Sequence, residues 1–125
     1  MSGRISIVWP AGRLEAELFD TPSASVLLDA LPATLRAGRS GDELLLPLAS
    51  GMRLDDTATQ VVDPGVVGYW VEGASLVLSC ACTPVSRGYE CCLLSAVNII
   101  GRFDGDHRLP ASIGDGDLVT VERVA

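Results

Sequence analysis

Four cysteines, one histidine and a few carboxylates are the residues of this chain with the most obvious chemistry to offer. Cys80 and Cys82 stand two apart in a strand-like run, so both point to one face of it. A same-face thiol pair can hold a soft metal, but zinc sites space two cysteines by about two to four residues and add a second pair or histidines. Cys91 and Cys92 are adjacent, and His107 lies in a polar turn. The thiols are therefore read as small hydrophobes in a core, and no metal or other cofactor is expected. Asp55 and Asp56 are adjacent acids, yet acid and base roles need surroundings that separate two pKa values, and this stretch reads as a solvated loop. The remaining polar candidates are Tyr69, Ser79, Arg39, Tyr89 and Glu90. Glu90 can act as an acid or base only if Cys91, Cys92 and Leu93 bury it.

The elements that would position these residues are mostly strands. Ile5 and Ile7 alternate with polar neighbours, as do Leu14, Ala16 and Leu18, on either side of Pro10, Ala11 and Gly12; this predicts a β-hairpin. Thr21 followed by Pro22 is a helix start, and Val26, Leu27, Ala30 and Leu31 share a face before Pro32 stops the pattern. Residues 34–39 and 43–47 flank a turn at Ser40, Gly41 and Asp42. Residues 48–62 read as the loosest part of the chain. After the turn Asp63, Pro64, Gly65, a strand runs from Val66 to Val71 with an interior glycine, Gly68, which marks a bulge or a close backbone approach. Ser75 to Cys82 reads as a strand with Leu76, Leu78, Cys80 and Cys82 on one face and Val77, Ser79 and Ala81 on the other. Residues 85–94 read as a connecting loop, Ser95 to Phe103 as a buried strand, Leu109 to Ile113 as a short helical turn, and Leu118 to Val124 as the last strand.

At 125 residues the chain suits one domain that buries about two thirds of its unfolded surface. Sixteen acidic residues against nine arginines give a net charge of -7, which repels phosphate backbones and anionic lipid; neither nucleic acid nor a membrane is an expected partner. The apolar runs are too short to span a bilayer and the N-terminus carries no apolar core of signal-peptide length, so a cytoplasmic location is expected. A monomer or a homodimer fits equally.

One stretch has a distinctive order: Pro64, Gly65, two apolar residues, Gly68, Tyr69, Trp70, Gly73, then Thr83 and Pro84, then Ala96, Val97, Asn98, Ile99, Ile100 and Gly101. It resembles the small prokaryotic cyclophilin-like barrel family, whose PG..GYW..G, TP and AVN.IG segments occur in this order. The match is specific over Pro64 to Phe103, and the order of elements agrees elsewhere. The resemblance implies a mainly β fold: a closed antiparallel cyclophilin-like β-barrel with one short α-helix and a second helical turn. Cyclophilin isomerases place an arginine, a glutamine, aromatic residues and a histidine around an external groove. At the corresponding positions this chain has Leu44, Val77, Val85 and Val97. None of these donates a hydrogen bond into a twisting imide, so prolyl isomerisation is the weakest expectation.

By the same correspondence the groove is apolar, with Tyr69 and Trp70 at its wall, Val77, Ser79 and Ala81 on its floor, and Leu44 and Leu46 beside them. Tyr69 and Trp70 combine large contact area with one polar handle each, but they also fit as fold residues. Arg39 stands where the family often has an apolar residue and could anchor an acidic ligand group. Catalytic roles then fall to Tyr69, Ser79 and Glu90, and ligand contacts to Arg39, Leu44, Leu46, Trp70, Val77, Ala81 and Tyr89. The expected partner is a hydrophobic small molecule. Two functions follow: a cofactor-free cyclase or isomerase of secondary metabolism that folds its substrate, or a peptide- or ligand-binding module without turnover.

Overall fold

The N-terminal hairpin forms as expected in the computed structural model, which describes residues 3–40, 43–63, 65–78, 91–103 and 109–124. Strands β1 (Gly3–Trp9) and β2 (Gly12–Leu18) pair antiparallel, with Ile5 opposite Ala16 and Ile7 opposite Leu14 on the buried face. The outward residues carry the charges: Arg13 reaches Glu15 at 3.2 Å and Arg4 reaches it at 3.6 Å. Trp9 is a packing residue, 4% exposed, whose indole N–H donates to Ser112 Oγ at 2.8 Å.

Helix α1 (Pro22–Asp29) begins where Thr21 and Pro22 place it, and the Thr21 hydroxyl accepts from the Ala24 N–H at 3.2 Å. Its buried face is turned toward the first turn: Ser23, Ala24 and Leu27 are buried, while Val26, Leu28 and Leu31 are partly covered. The cause is polar. The Ser23 hydroxyl donates inward to Asp55 Oδ2 at 2.5 Å.

The remaining elements are β3 (Ala33–Arg36), β4 (Gly38–Ser40), β5 (Glu43–Pro47), β6 (Thr59–Val62), β7 (Val66–Trp70), β8 (Ser75–Leu78), β9 (Cys91–Phe103), a 3₁₀ turn (Leu109–Ser112) and β10 (Leu118–Arg123). Two expectations are corrected. The stretch 48–62 ends in a strand, β6, which pairs with β9. Residues 91–94 begin β9 instead of closing a loop, with Cys91 and Cys92 opposite Val62 and Val61.

The strand order is β3-β10-β1-β2-β9-β7-β8-β5-β4, with β6 paired to β9 off this path. The sheet is mainly antiparallel as expected, but among the described residues no ladder closes it, so the closed barrel is not what forms. The two end strands, β3 and β4, have no ladder with each other and are consecutive along the chain, separated only by Ala37. Ala37 is instead tied to the start of β10: its N–H donates to Asp117 O at 2.8 Å and its carbonyl accepts from Gly116 at 2.8 Å.

Both faces of one part of this sheet are covered. The main core collects Ile5, Ile7, Leu18, Leu27, Leu44, Leu46, Tyr69, Leu76, Leu78 and Val121, among others. A second cluster holds Val62, Val66, Val77 and Val97, with Leu45, Trp70 and Ile99 packed against it. Alternation sorts the residues between them: Leu44 and Leu46 go one way and Leu45 the other; Leu76 and Leu78 one way and Val77 the other. No described helix is long and apolar enough to cross a membrane.

Candidate ligand site beside Trp70

The site is built from β7 outward. Val67 and Tyr69 turn into the main core, so Trp70 turns to the other side of the sheet. Gly68 makes room for a neighbour there. A Cβ at Gly68 would lie 2.5 Å from Val97 Cγ2, and the ladder between β7 and β9 shifts register beside it, between Val67 and Gly68. Gly73 does the same for the indole: a Cβ there would sit 2.1 Å from Trp70 Cε3 and 2.2 Å from Cζ3. The backbone of the turn after β7 thus presses against the benzene side of the ring. The pyrrole N–H lies on the opposite edge, is buried, and finds no acceptor among the described residues.

Trp70 lines a cleft of about 290 Å³ together with Leu54, Gln60, Val71, Glu72 and Ala96. The cleft lies where two strands part. Thr59 is opposite Val97 and Val61 is opposite Cys92, so two steps along β6 face five along β9. Bulges of this kind terminate pairing and commonly border functional sites. The lining offers the Trp70 ring, one carboxylate and one carboxamide among apolar side chains, while the indole N–H itself is buried behind that surface.

The opposite wall is held by Asn98, which is wholly buried. Its Nδ2 donates to Arg53 O at 2.8 Å and its Oδ1 accepts from Asp55 N–H at 2.9 Å. Asp55 continues the clasp. One carboxylate oxygen accepts from Ser23, and the other accepts from the Thr57 N–H at 2.7 Å and from the Thr57 hydroxyl. Thr57 Oγ1 in turn accepts from Ile99 N–H at 2.9 Å. Partial burial pushes the Asp55 carboxyl up, but the hydrogen bonds from Ser23 and Thr57 outweigh it and hold the group below the ordinary carboxylate range. Asp55 is therefore not a solvated loop acid, nor one of a catalytic pair; it is a fastening. Among the described residues no group of histidine, cysteine and acidic side chains is arranged to hold a metal.

The residues expected at a single groove are divided by the sheet. Tyr69 is 1% exposed, and its hydroxyl donates to Leu48 O at 2.6 Å. Leu44 and Leu46 are wholly buried beside it in the main core, so none of the three offers surface to a ligand. Val77 is buried in the second cluster, and among the described members of the set Trp70 alone lines the cleft. Arg39 pairs with Leu44 through its backbone in β4, and its side chain lies outside the described part. Ser79, Ala81, Tyr89 and Glu90 lie outside the described residues. Leu54, Gln60 and Glu72 were not singled out by the sequence, and Ala96 and Asn98 stood out only as part of the AVN.IG segment, without a site role.

An antiparallel β fold with one short helix and a cleft beside Trp70 defines a small β-rich class of protein. The comparisons narrow it: the Cyclophilin-like family model matches residues 3–122, and the chain belongs to that family. It is similar to a hypothetical protein from Archaeoglobus fulgidus with a known solution structure, at 30% identity and a TM-score of 0.81, covering 98% of this chain and 95% of the other. No curated protein matches the chain. At the positions corresponding to isomerase residues, Leu44, Val77 and Val97 are apolar and at most 1% exposed.

Proposed function

We propose that this cyclophilin-like protein binds a small, largely apolar molecule in the cleft beside Trp70, through a neutral oxygen that accepts from the indole N–H. The observation that carries the reading is the unpartnered Nε1 of Trp70, buried on a side chain that lines that cleft, which an acceptor reaches by a small shift of the ring. A buried donor left unmade costs about 1–3 kcal/mol, a cost that an acceptor on a ligand removes. Binding without turnover is favoured over a cofactor-free cyclase or isomerase, because Tyr69, the described acid–base candidate, has its hydroxyl committed to Leu48. A cyclase would have to work by shaping its substrate alone.

The two tryptophans supply an internal control, since the Trp9 indole is bonded to Ser112 while that of Trp70 is not. With ¹⁵N-labelled protein and cyclohexanone as a probe, the Trp70 indole resonance is expected to move saturably and the Trp9 resonance to stay. Equal movement of both, or movement of neither, would refute the proposal.

A further inference from the structure

Leu54 lines the Trp70 cleft and also a second cavity of about 390 Å³, whose wall includes Pro22, Val26, Met52, Arg53 and Asp55. It is 63% exposed, more than any other large hydrophobic side chain among the described residues. That exposure is imposed. Asn98 grips the carbonyl just before Leu54 and the N–H just after it, while Asp55 and Thr57 fasten the next residues to α1 and β9. A strap pinned on both sides by a wholly buried amide holds one leucine outward, between two cavities. A merely loose loop would have no need of such a clasp.

We propose that the two cavities are compartments of one binding site, bridged across Leu54, and that the ligand is an elongated amphipathic small molecule. Its neutral acceptor, a ketone, ester or amide oxygen, meets Trp70 Nε1. Its aliphatic middle covers Leu54, and its tail lies against Met52, Val26 and Pro22. Glu72 in the first compartment and the net charge of -7 disfavour an anionic head. The second compartment is mainly apolar at its Pro22, Val26 and Met52 side, which suits hydrocarbon. Both carboxylate oxygens of Asp55 are already occupied by Ser23 and Thr57, so Asp55 does not call for a cationic tail. The inference rests on the Trp70 reading for the head of the ligand and adds the path and chemistry of the remainder.

The test uses the full chain and a series of straight methyl ketones, 2-butanone, 2-hexanone and 2-decanone, with two reporters. The Trp70 indole N–H reads the first compartment, and the ε-methyl of Met52, which is 5% exposed, reads the second. All three ketones should shift Trp70, and only the longer ones should shift Met52. Affinity should rise by about fourfold for each methylene that becomes buried along the path. Leu54→Ser, at an exposed position that lines both cavities, should flatten the gain in affinity with chain length. Trp70 responding to every ketone with no gain in affinity, or with Met52 unmoved by 2-decanone, would overturn the bridged site and leave the Trp70 reading standing. Met52 responding without Trp70, or neither responding, would overturn both.

Discussion

Gly68 is occupied by glycine for reasons of space, and a double-mutant cycle with Val97 measures this. Gly68 is not among the residues with positive φ, so its backbone does not demand glycine. Gly68→Ala would place a Cβ 2.5 Å from Val97 Cγ2 and 3.1 Å from its Cβ, against an ordinary carbon contact of about 3.5–4.0 Å. Val97 cannot yield easily: it is 1% exposed and packed among Val62, Val66 and Val77. Gly68→Ala should therefore cost about 1–3 kcal/mol, as overpacking does. Val97→Ala alone removes two buried methyl groups, costing about 1.5–2 kcal/mol at ~0.8 kcal/mol for each carbon. In the double variant the new methyl enters the vacated volume, so the two costs should fall short of their sum by about 1–2 kcal/mol, well above the ~0.5 kcal/mol scatter of independent sites. Urea unfolding at neutral pH, read by midpoint at constant slope, gives all four stabilities. Additive costs would refute the steric account and assign Gly68 to the register shift alone.

Other outcomes follow from the same geometry. Gly73→Ala should drive the Trp70 ring off the turn, shifting the Trp70 indole resonance but not that of Trp9, at a stability cost of about 1–3 kcal/mol. Asn98→Asp should destabilise at pH 7 by about 3–5 kcal/mol, because an ionised, buried carboxylate would face the Arg53 carbonyl. Since that carboxyl titrates above its unfolded value when buried, stability should return as pH is lowered toward about 4.5, where the protonated oxygen donates; a loss independent of pH would contradict the clasp. Asp55 behaves in the opposite sense. Its folded pKa is lowered, so its contribution is present above the unfolded carboxyl range and is lost as pH falls through the folded value; Asp55→Asn should flatten that acid limb in urea titrations between about pH 5 and 2.

What the sequence revealed depended on whether a strand had a polar face. In β1 and β2 the alternation is apolar against Arg, Ser and Glu, which fixes both the period and the buried side, and the hairpin forms in that register. In β5, β7 and β8 both faces are apolar because one meets the main core and the other the second cluster. There the period is legible and its sign is not, so Tyr69, Leu44 and Leu46 could be assigned to an outer groove although they point inward. Strand β6 was hidden for another reason. Gln60 and Val61 are exposed, so no local pattern marks it, and only the distant ladder with β9 makes it a strand. The helix start needed only Thr21 and Pro22, whose capping chemistry is local.

The segment Ala96, Val97, Asn98 shows why fold residues and site residues are not separate sets in this protein. Ala96 lines the cleft, Val97 fills the notch at Gly68, and Asn98 clasps the strap that carries Leu54. Each is placed by β9, so a shift of that strand would move one wall of the cleft and the strap together. Trp70 is likewise set by backbone, through Gly73. Val97 and Trp70 are thus packed against the glycines of β7 and its turn, and Asn98 is wholly buried. Leu54 and Glu72, by contrast, are exposed and project from the strap and the turn. Substitutions at those two positions can alter the lining of the cleft while the sheet beneath stays as it is.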